Sequence, residues 1–117
     1  MAAASLVASL GEGWIAEEAL AIAVYCALRY RNDFTRALIA SVNHSGDSDS
    51  TGSITGNILG AYVGYNRIPT SLIDDIELFD VLTVIAEDLY TDAGSSDKAH
   101  CLTDEWQRKY CKADYRP

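Results

Sequence analysis

The segment that decides the fold is residues 43–64, which read NHSGDSDSTGSITGNILGAYVG. Its first half places Asp47 and Asp49 in a short polar turn that is rich in hydroxyl side chains. Its second half carries a glycine at every fourth position, at Gly52, Gly56, Gly60 and Gly64. Since each glycine inside a helix costs about 0.5–1 kcal/mol relative to alanine, we expect a neighbouring helix or a ligand to approach this backbone closely.

The second half of this segment has the periodicity of a helix that begins at Ser50 or Thr51 and ends near Tyr65. Five side chains share one face at 3.6-residue spacing: Ile54, Ile58, Ala61, Tyr62 and Tyr65. The glycines lie roughly on the opposite face of the same helix.

The remainder of the chain also has helical patterns, and no stretch has the pattern of a strand. We predict these further helices, in chain order: Ala2–Leu10, Trp14–Tyr30, a third helix capped by Asn32 or Asp33 and ending near Val42, a short one with Ser71 and Asp74 as its capping box, Ile76–Tyr90 with an inward stripe at Leu78, Leu82, Ile85 and Leu89, and Thr103–Tyr110. The second of these is apolar all round between Ala19 and Leu28, which is typical of a central, buried helix. The sequence therefore predicts an all-α bundle of five to six helices, with residues 1–117 forming a single domain.

Composition narrows the possible functions. Hydrophobic residues make up 49% of the 117-residue chain, as in an ordinary globular protein. The net charge of -8 argues against nucleic acid as a partner, and the longest apolar run is too short to span a membrane. Cys26 lies in that apolar run and is predicted to be in the core, whereas Cys101 and Cys111 are either free thiols or a disulfide pair. Free thiols in a reducing cytoplasm fit this odd number of cysteines better.

Asp47, Asp49 and the neighbouring hydroxyls form a cluster of hard oxygen ligands. Such a cluster suits Mg²⁺, Mn²⁺ or Ca²⁺, whereas zinc prefers cysteine and histidine. The amides of the helix that follows would also accept a phosphate group. His44 lies beside the cluster, and we interpret it as a structural residue of the loop.

Three general motifs compete for this cluster. An EF-hand loop begins in the same way, but Ile58 stands where that loop needs a bidentate glutamate. The nucleophile loop of haloacid-dehalogenase-like phosphatases has a similar Asp-x-Asp-x-Thr pattern, but here no buried strand precedes Asp47. The third interpretation is a capped helix start with solvated aspartates.

The wider pattern resembles the C-terminal portion of the ADP-ribosylglycohydrolase family. The resemblance covers roughly residues 10–90. It rests on these motifs: Gly46-Asp47-Ser48-Asp49-Ser50-Thr51-Gly52, continued through Gly56 to Gly60-Ala61-Tyr62-Val63-Gly64; Leu10-Gly11-Glu12-Gly13-Trp14 with Glu18-Ala19-Leu20; and Ile68-Pro69 before an acidic helix.

This resemblance implies an all-α fold and a pair of Mg²⁺ ions, or Mn²⁺ in some members. In the family the ions position the ribose and a water for cleavage of an N- or O-glycosidic bond to ADP-ribose. The implied metal ligands are Asp47 and Asp49 through their carboxylates and Ser50 through its hydroxyl. The segment that would approach the ligand, mainly by its backbone, is Gly11, Glu12 and Gly13.

The family's N-terminal portion carries a hydroxyl–Asp–Asp–hydroxyl motif and an acidic residue that assists catalysis. The one Asp-Asp pair here, Asp74-Asp75, is flanked by Ile73 and Ile76 and lacks the hydroxyls. We therefore assign no catalytic residue and expect half of a magnesium site, with weak or absent metal binding in the isolated chain. On this interpretation the chain is a truncated member of the family that does not hydrolyse its substrate alone.

The alternative is a noncatalytic helical module that binds a partner or a nucleotide-like ligand. Under either interpretation, helices that normally cover Ala19–Leu28 and the glycine face are missing. Since large exposed apolar patches are rare in soluble monomers, we expect a homodimer, or a complementary chain that carries the N-terminal portion. We expect the protein to be cytoplasmic.

Overall fold

The computed structural model describes residues 3–94 and 108–110. Its α-helices are α1 Ala3–Ser9, α2 Ala16–Arg29, α3 Phe34–Val42, α4 Ser48–Val63 and α5 Phe79–Gly94, with 3-10 turns at Tyr65–Arg67 and Thr70–Leu72. The described residues include no strand, so the all-α prediction is confirmed. The chain divides into two compact units, Met1–Asp75 and Ile76–Pro117.

Capping residues explain where the helices of the first unit begin. The Asp33 carboxylate accepts the Arg36 amide at 3.0 Å and starts α3, as one of the two predicted caps. The cap of α4 is Asp47, whose Oδ1 accepts the Ser50 amide at 3.3 Å. The prediction that Ser50 or Thr51 caps this helix is wrong, because the aspartate satisfies the first free amides one turn earlier.

Helix α4 packs against both α2 and α3. Its buried residues are Thr51, Thr55 and Leu59, whereas Tyr62 on the apolar face of the sequence pattern is 66% exposed. The Thr55 hydroxyl donates to the Thr51 carbonyl at 2.7 Å, which satisfies the polar atom and leaves the threonine methyl group for apolar packing.

Two small clusters form the core of the first unit. One contains Val7, Ile22 and Cys26, and the other contains Ala27, Ala37 and Leu59. Cys26 is buried and free, as predicted for a core thiol.

The glycines of α4 differ in how closely they are approached. A Cβ on Gly52 would stand 2.6 Å from Val42 Cγ1, so α3 crosses close to the backbone there. A Cβ on Gly56 would make an ordinary contact at 3.7 Å, and one on Gly60 would lie 3.9 Å from its nearest neighbour. The expected close approach is therefore confirmed at Gly52 and is wrong for Gly56 and Gly60.

Helix α2 buries one face and exposes the other. Its buried residues are Ala19, Ile22, Ala23, Cys26 and Ala27. Leu20, Val24 and Leu28 form the opposite apolar stripe, and Leu28 is 70% exposed. The prediction that this helix is buried all round is wrong, because within the first unit its neighbours cover one side.

The second unit contains α5, which begins at Phe79, three residues after the predicted start. The predicted inward stripe of this helix is largely exposed, with Leu89 at 65%. Asp88 accepts from Lys109 Nζ at 2.6 Å and from the Tyr110 hydroxyl, which ties residues 108–110 to α5. Most of the predicted helix Thr103–Tyr110, and the Cys101–Cys111 pair, lie outside the described residues. None of the described helices is long and apolar enough to cross a membrane.

Candidate metal centre

The candidate centre lies where two loops of the first unit meet. We call residues 11–13 the glycine turn and residues 43–50 the carboxylate turn. The Asp47 amide donates to the Glu12 carbonyl at 2.8 Å. A Cβ on Gly46 would stand 1.7 Å from that same carbonyl oxygen, so only glycine fits there without a shift of backbone. The two turns are thus in direct main-chain contact.

Glu18 holds the glycine turn from the first turn of α2. Its Oε2 accepts the amides of Glu12 and Gly13, each at 3.1 Å. Gly11 and Gly13 have φ values of 117° and 80°, which favour glycine. These bonds fix the conformation of the turn that supports Asp47.

His44 and Thr51 hold the carboxylate turn from inside. His44 Nδ1 accepts the Gly46 amide at 3.1 Å, so the proton of the neutral ring is on Nε2, which donates to Thr51 Oγ1 at 2.9 Å. The buried Thr51 hydroxyl in turn donates to the Ser41 carbonyl at 2.7 Å. Both nitrogens of His44 are used in the fold, which agrees with its interpretation as a structural residue.

The three predicted metal ligands lie together at the start of α4. Hydrogen bonds from the side chains of Asp49 and then Ser50 lower the pKa of Asp47 below its ordinary value. Asp47 caps α4, and Asp49 and Ser50 lie in the first turn of the same helix, so the three side chains start from one short stretch of backbone. Asp47 and Ser50 are half-buried, and Asp49 is exposed.

This donor set fits a hard divalent cation as a partial set of ligands. Two carboxylates and a hydroxyl offer only oxygen atoms, and Mg²⁺ is commonly bound by one or two carboxylates while it keeps several waters. Within the described part of the chain, no group of three or more histidine, cysteine or acidic side chains converges to hold a metal. The remaining coordination positions would therefore belong to water or to groups from elsewhere.

The predicted ligand-approaching segment is largely occupied by bonds within the fold. The amides of Glu12 and Gly13 are taken by Glu18, and the Glu12 carbonyl is taken by Asp47. The Glu12 side chain stays exposed and accepts Trp14 Nε1 at 3.2 Å. A ligand at this turn would therefore meet the Glu12 side chain and the exposed Trp14 ring more readily than the backbone amides.

Sequence reasoning missed three of the residues that build this centre. Glu18 lies in the first turn of α2, and a glutamate five residues after a two-glycine turn is placed to accept the free amides of that turn. The sequence predicts Thr51 as a possible helix cap, but its side chain is buried and its hydroxyl hydrogen-bonds to His44 and to the Ser41 carbonyl. The tight contact of Gly46 has no signal in a single sequence, because its partner lies 34 residues away at Glu12.

The sequence model of the ADP-ribosylglycohydrolase family matches residues 1–99. The chain is 34% identical over 95 residues to the ADP-ribosylhydrolase ARH3 of Mus musculus, a match that covers 73% of this chain and 26% of the mouse protein. It is 32% identical over 95 residues to the human protein of the same name, with the same coverage. The chain thus spans about a quarter of the length of the curated relatives that it matches. No solved structure gives a significant match. The family match extends over most of the chain and includes both turns of the candidate centre, and the chain therefore belongs to the ADP-ribosylglycohydrolase family.

Proposed function

We propose that this chain provides half of a Mg²⁺-dependent site related to the hydrolysis of ADP-ribose glycosidic bonds, and that it is inactive alone. The observation that carries the proposal is the placement of Asp47, Asp49 and Ser50 side by side at the start of α4, on a turn fixed by main-chain bonds. Family membership supplies the substrate class, since the relatives are named as ADP-ribosylhydrolases.

In this proposal Asp47 and Asp49 hold Mg²⁺, or Mn²⁺, through carboxylate oxygens, and Ser50 does so through its hydroxyl. The bound metal would supply a template and a Lewis acid for the glycosidic bond. Metal binding requires both Asp47 and Asp49 as ionised carboxylates. At the turn formed by Gly11, Glu12 and Gly13, an ADP-ribose-like ligand would meet the exposed side chains of Glu12 and Trp14.

We propose that the catalytic acid and the other metal ligands come from a complementary chain that carries the family's N-terminal portion. Three oxygen ligands from one turn leave a Mg²⁺ site incomplete, so the isolated chain would bind metal only weakly. We further propose a cytoplasmic location, which agrees with the free, buried Cys26.

A matched pair of variants tests the metal site. Asp47 and Asp33 both cap a helix, and asparagine caps as well as aspartate. We expect D47N to weaken Mn²⁺ binding at least about tenfold, measured by titration with electron paramagnetic resonance, while D33N binds as the wild type does. Equal binding by D47N and the wild type, or no binding at millimolar metal, would contradict the proposed site.

Activity is tested separately with an ADP-ribosylated peptide and Mg²⁺. We expect no turnover by the purified chain alone. Turnover that disappears in D47N but persists in D33N would show that the chain is a complete enzyme, contrary to the proposal.

The second candidate function is a noncatalytic helical module that self-associates or binds a ligand. It is favoured by the exposed apolar stripe of α2, formed by Leu20, Val24 and Leu28. If a second copy covers this stripe, the protein should be a dimer by light scattering, and L28E should shift it towards monomer. A wild-type monomer at high concentration would exclude the homodimer.

A further inference from the structure

Glu18 stands apart from its neighbour Glu17, although both lie in the first turn of α2. Glu17 is exposed, whereas Glu18 is half-buried and its Oε2 accepts two successive backbone amides at 3.1 Å. Successive amides of this kind form a cradle for an anion. Here the acceptor is supplied by the chain itself, as one oxygen of the Glu18 side chain.

The Glu18 side chain packs tightly against the glycine turn at Gly11. A Cβ on Gly11 would stand 2.3 Å from Glu18 Cδ, so the carboxyl group packs directly against the backbone at Gly11. The turn and the carboxylate therefore form one unit.

Two contacts transmit the position of this unit to the carboxylate turn. The first is the bond from the Asp47 amide to the Glu12 carbonyl. That carbonyl is in the same peptide group as the Gly13 amide, which donates to Glu18. The second is the packing of Gly13, where a Cβ would lie 3.0 Å from Thr51 Cγ2 and 3.5 Å from the Asp47 carbonyl. A glycine turn that moves would therefore take the backbone of Asp47 with it.

We infer that Glu18 is a positioning residue for the metal half-site: its carboxylate fixes the glycine turn, and the turn fixes Asp47. The inference rests on the proposed function for its consequence in metal affinity. Groups that orient metal ligands from behind typically change metal affinity by about 10–100-fold when they are removed. A simple dipole role is different, because it depends on charge and would be shared by Glu17.

Three substitutions distinguish the effect of the length of the Glu18 side chain from the effect of its charge. E18D keeps the charge but shortens the side chain by one methylene, and we expect it to weaken Mn²⁺ binding about tenfold. E18Q loses the charge but keeps an oxygen at the same reach, and we expect Mn²⁺ binding to stay within about threefold of the wild type. E17D is the matched control, with the same chemical change one residue away, and should bind as the wild type does.

Hydrogen exchange supplies a readout that needs no metal. In E18D we expect faster exchange at the amides of Glu12, Gly13 and Asp47, and in E18Q and E17D near wild-type exchange at all three. Unchanged exchange at Asp47 in E18D would refute the positioning role, whether or not metal binds. Faster exchange there without loss of Mn²⁺ affinity would refute the link to the metal. If E18D does not fold, E18Q and E17D still test the inference. Both variants keep a side-chain oxygen at residue 18 that can accept the amides of the glycine turn, so an equal loss of affinity in the two would overturn it.

If the wild type binds no Mn²⁺, the proposed function fails and the exchange experiment still decides whether Glu18 fixes Asp47. If the wild type binds Mn²⁺ and E18D binds it equally well, the positioning role fails and the metal site stands. The two proposals can thus fail independently.

Discussion

Replacement of Gly46 by alanine tests the contact between the two turns most directly. The new Cβ would stand 1.7 Å from the Glu12 carbonyl oxygen and 2.5 Å from its carbon, which are backbone atoms that no rotamer change can move. Gly46 is not among the positive-φ residues, so the cost of alanine there is steric and not conformational. The turns must separate, which breaks the 2.8 Å bond from the Asp47 amide to Glu12.

The magnitude follows from these two losses. A hydrogen bond contributes about 0.5–1.5 kcal/mol net, and an extra methyl group forced into a packed contact costs about 1–3 kcal/mol. We therefore expect G46A to lower the free energy of unfolding by about 1.5–4.5 kcal/mol. The assay is urea denaturation followed by circular dichroism at 25 °C.

G60A is the matched control, since it makes the same substitution at a glycine with space around it. Its Cβ would lie 3.9 Å from Ile68 Cδ1, an ordinary contact. Because alanine is a better helix former than glycine, G60A should stabilise the protein by about 0.5–1 kcal/mol. The reasoning is refuted if G46A unfolds at the same urea concentration as the wild type, or if both variants are destabilised equally.

Three further predictions follow from the packing and electrostatics of α4. T51V removes a buried hydroxyl and its 2.7 Å bond to a backbone carbonyl, and should cost about 1–3 kcal/mol by urea denaturation, while T35V at an exposed position should change little. L59A, at 1% exposure, should cost about 2–5 kcal/mol, whereas Y62A at 66% exposure should stay within about 0.5 kcal/mol. Because the pKa of Asp47 is lowered on folding, its stabilisation is present above its ordinary pKa of about 3.9 and is lost as the pH falls through the folded value. Thermal melts between neutral pH and pH 2 should therefore show a steeper acid loss in the wild type than in D47N, and equal slopes would contradict the shift.

The helices were predictable because their signals are local. Apolar spacing and a capping aspartate at Asp33 identify α3 within a window of ten residues, and the structure agrees. Likewise the closeness of Asp47, Asp49 and Ser50 follows from their positions within one turn of chain. Local pattern therefore predicted the fold class, whereas the ligand set of Asp47, Asp49 and Ser50 is what the family resemblance implies and stays a prediction.

The inward face of α4 was not predictable from the same pattern. Periodicity favoured the bulky Ile58 and Tyr62, but the helix buries Thr51 and Thr55, whose hydroxyls bond to backbone carbonyls. A threonine with its hydroxyl satisfied presents a methyl group and packs as a small apolar residue, which a hydropathy scale does not record. The helix buries Leu59 along the same face, and only the tertiary structure shows that α2 and α3 cover this face.

The candidate centre is held in place by satisfied polar groups more than by apolar burial. Within the described residues, no buried side-chain nitrogen or oxygen lacks a hydrogen-bond partner. The bonds from Glu18, His44 and Thr51 to the two turns all arise within the first unit.

Under the proposed function, bonds within the fold set the geometry of the metal ligands, whereas the number of ligands sets the affinity for the metal. Preorganised ligands lower the entropic cost of binding, but a site with three oxygen donors still lacks the remaining ligands that a Mg²⁺ ion needs. A complementary chain would then raise affinity by adding ligands, and it would not need to reorder Asp47. Mn²⁺ should therefore bind much more tightly when the complementary chain is present. Hydrogen exchange at the Asp47 amide should be the same with and without that chain.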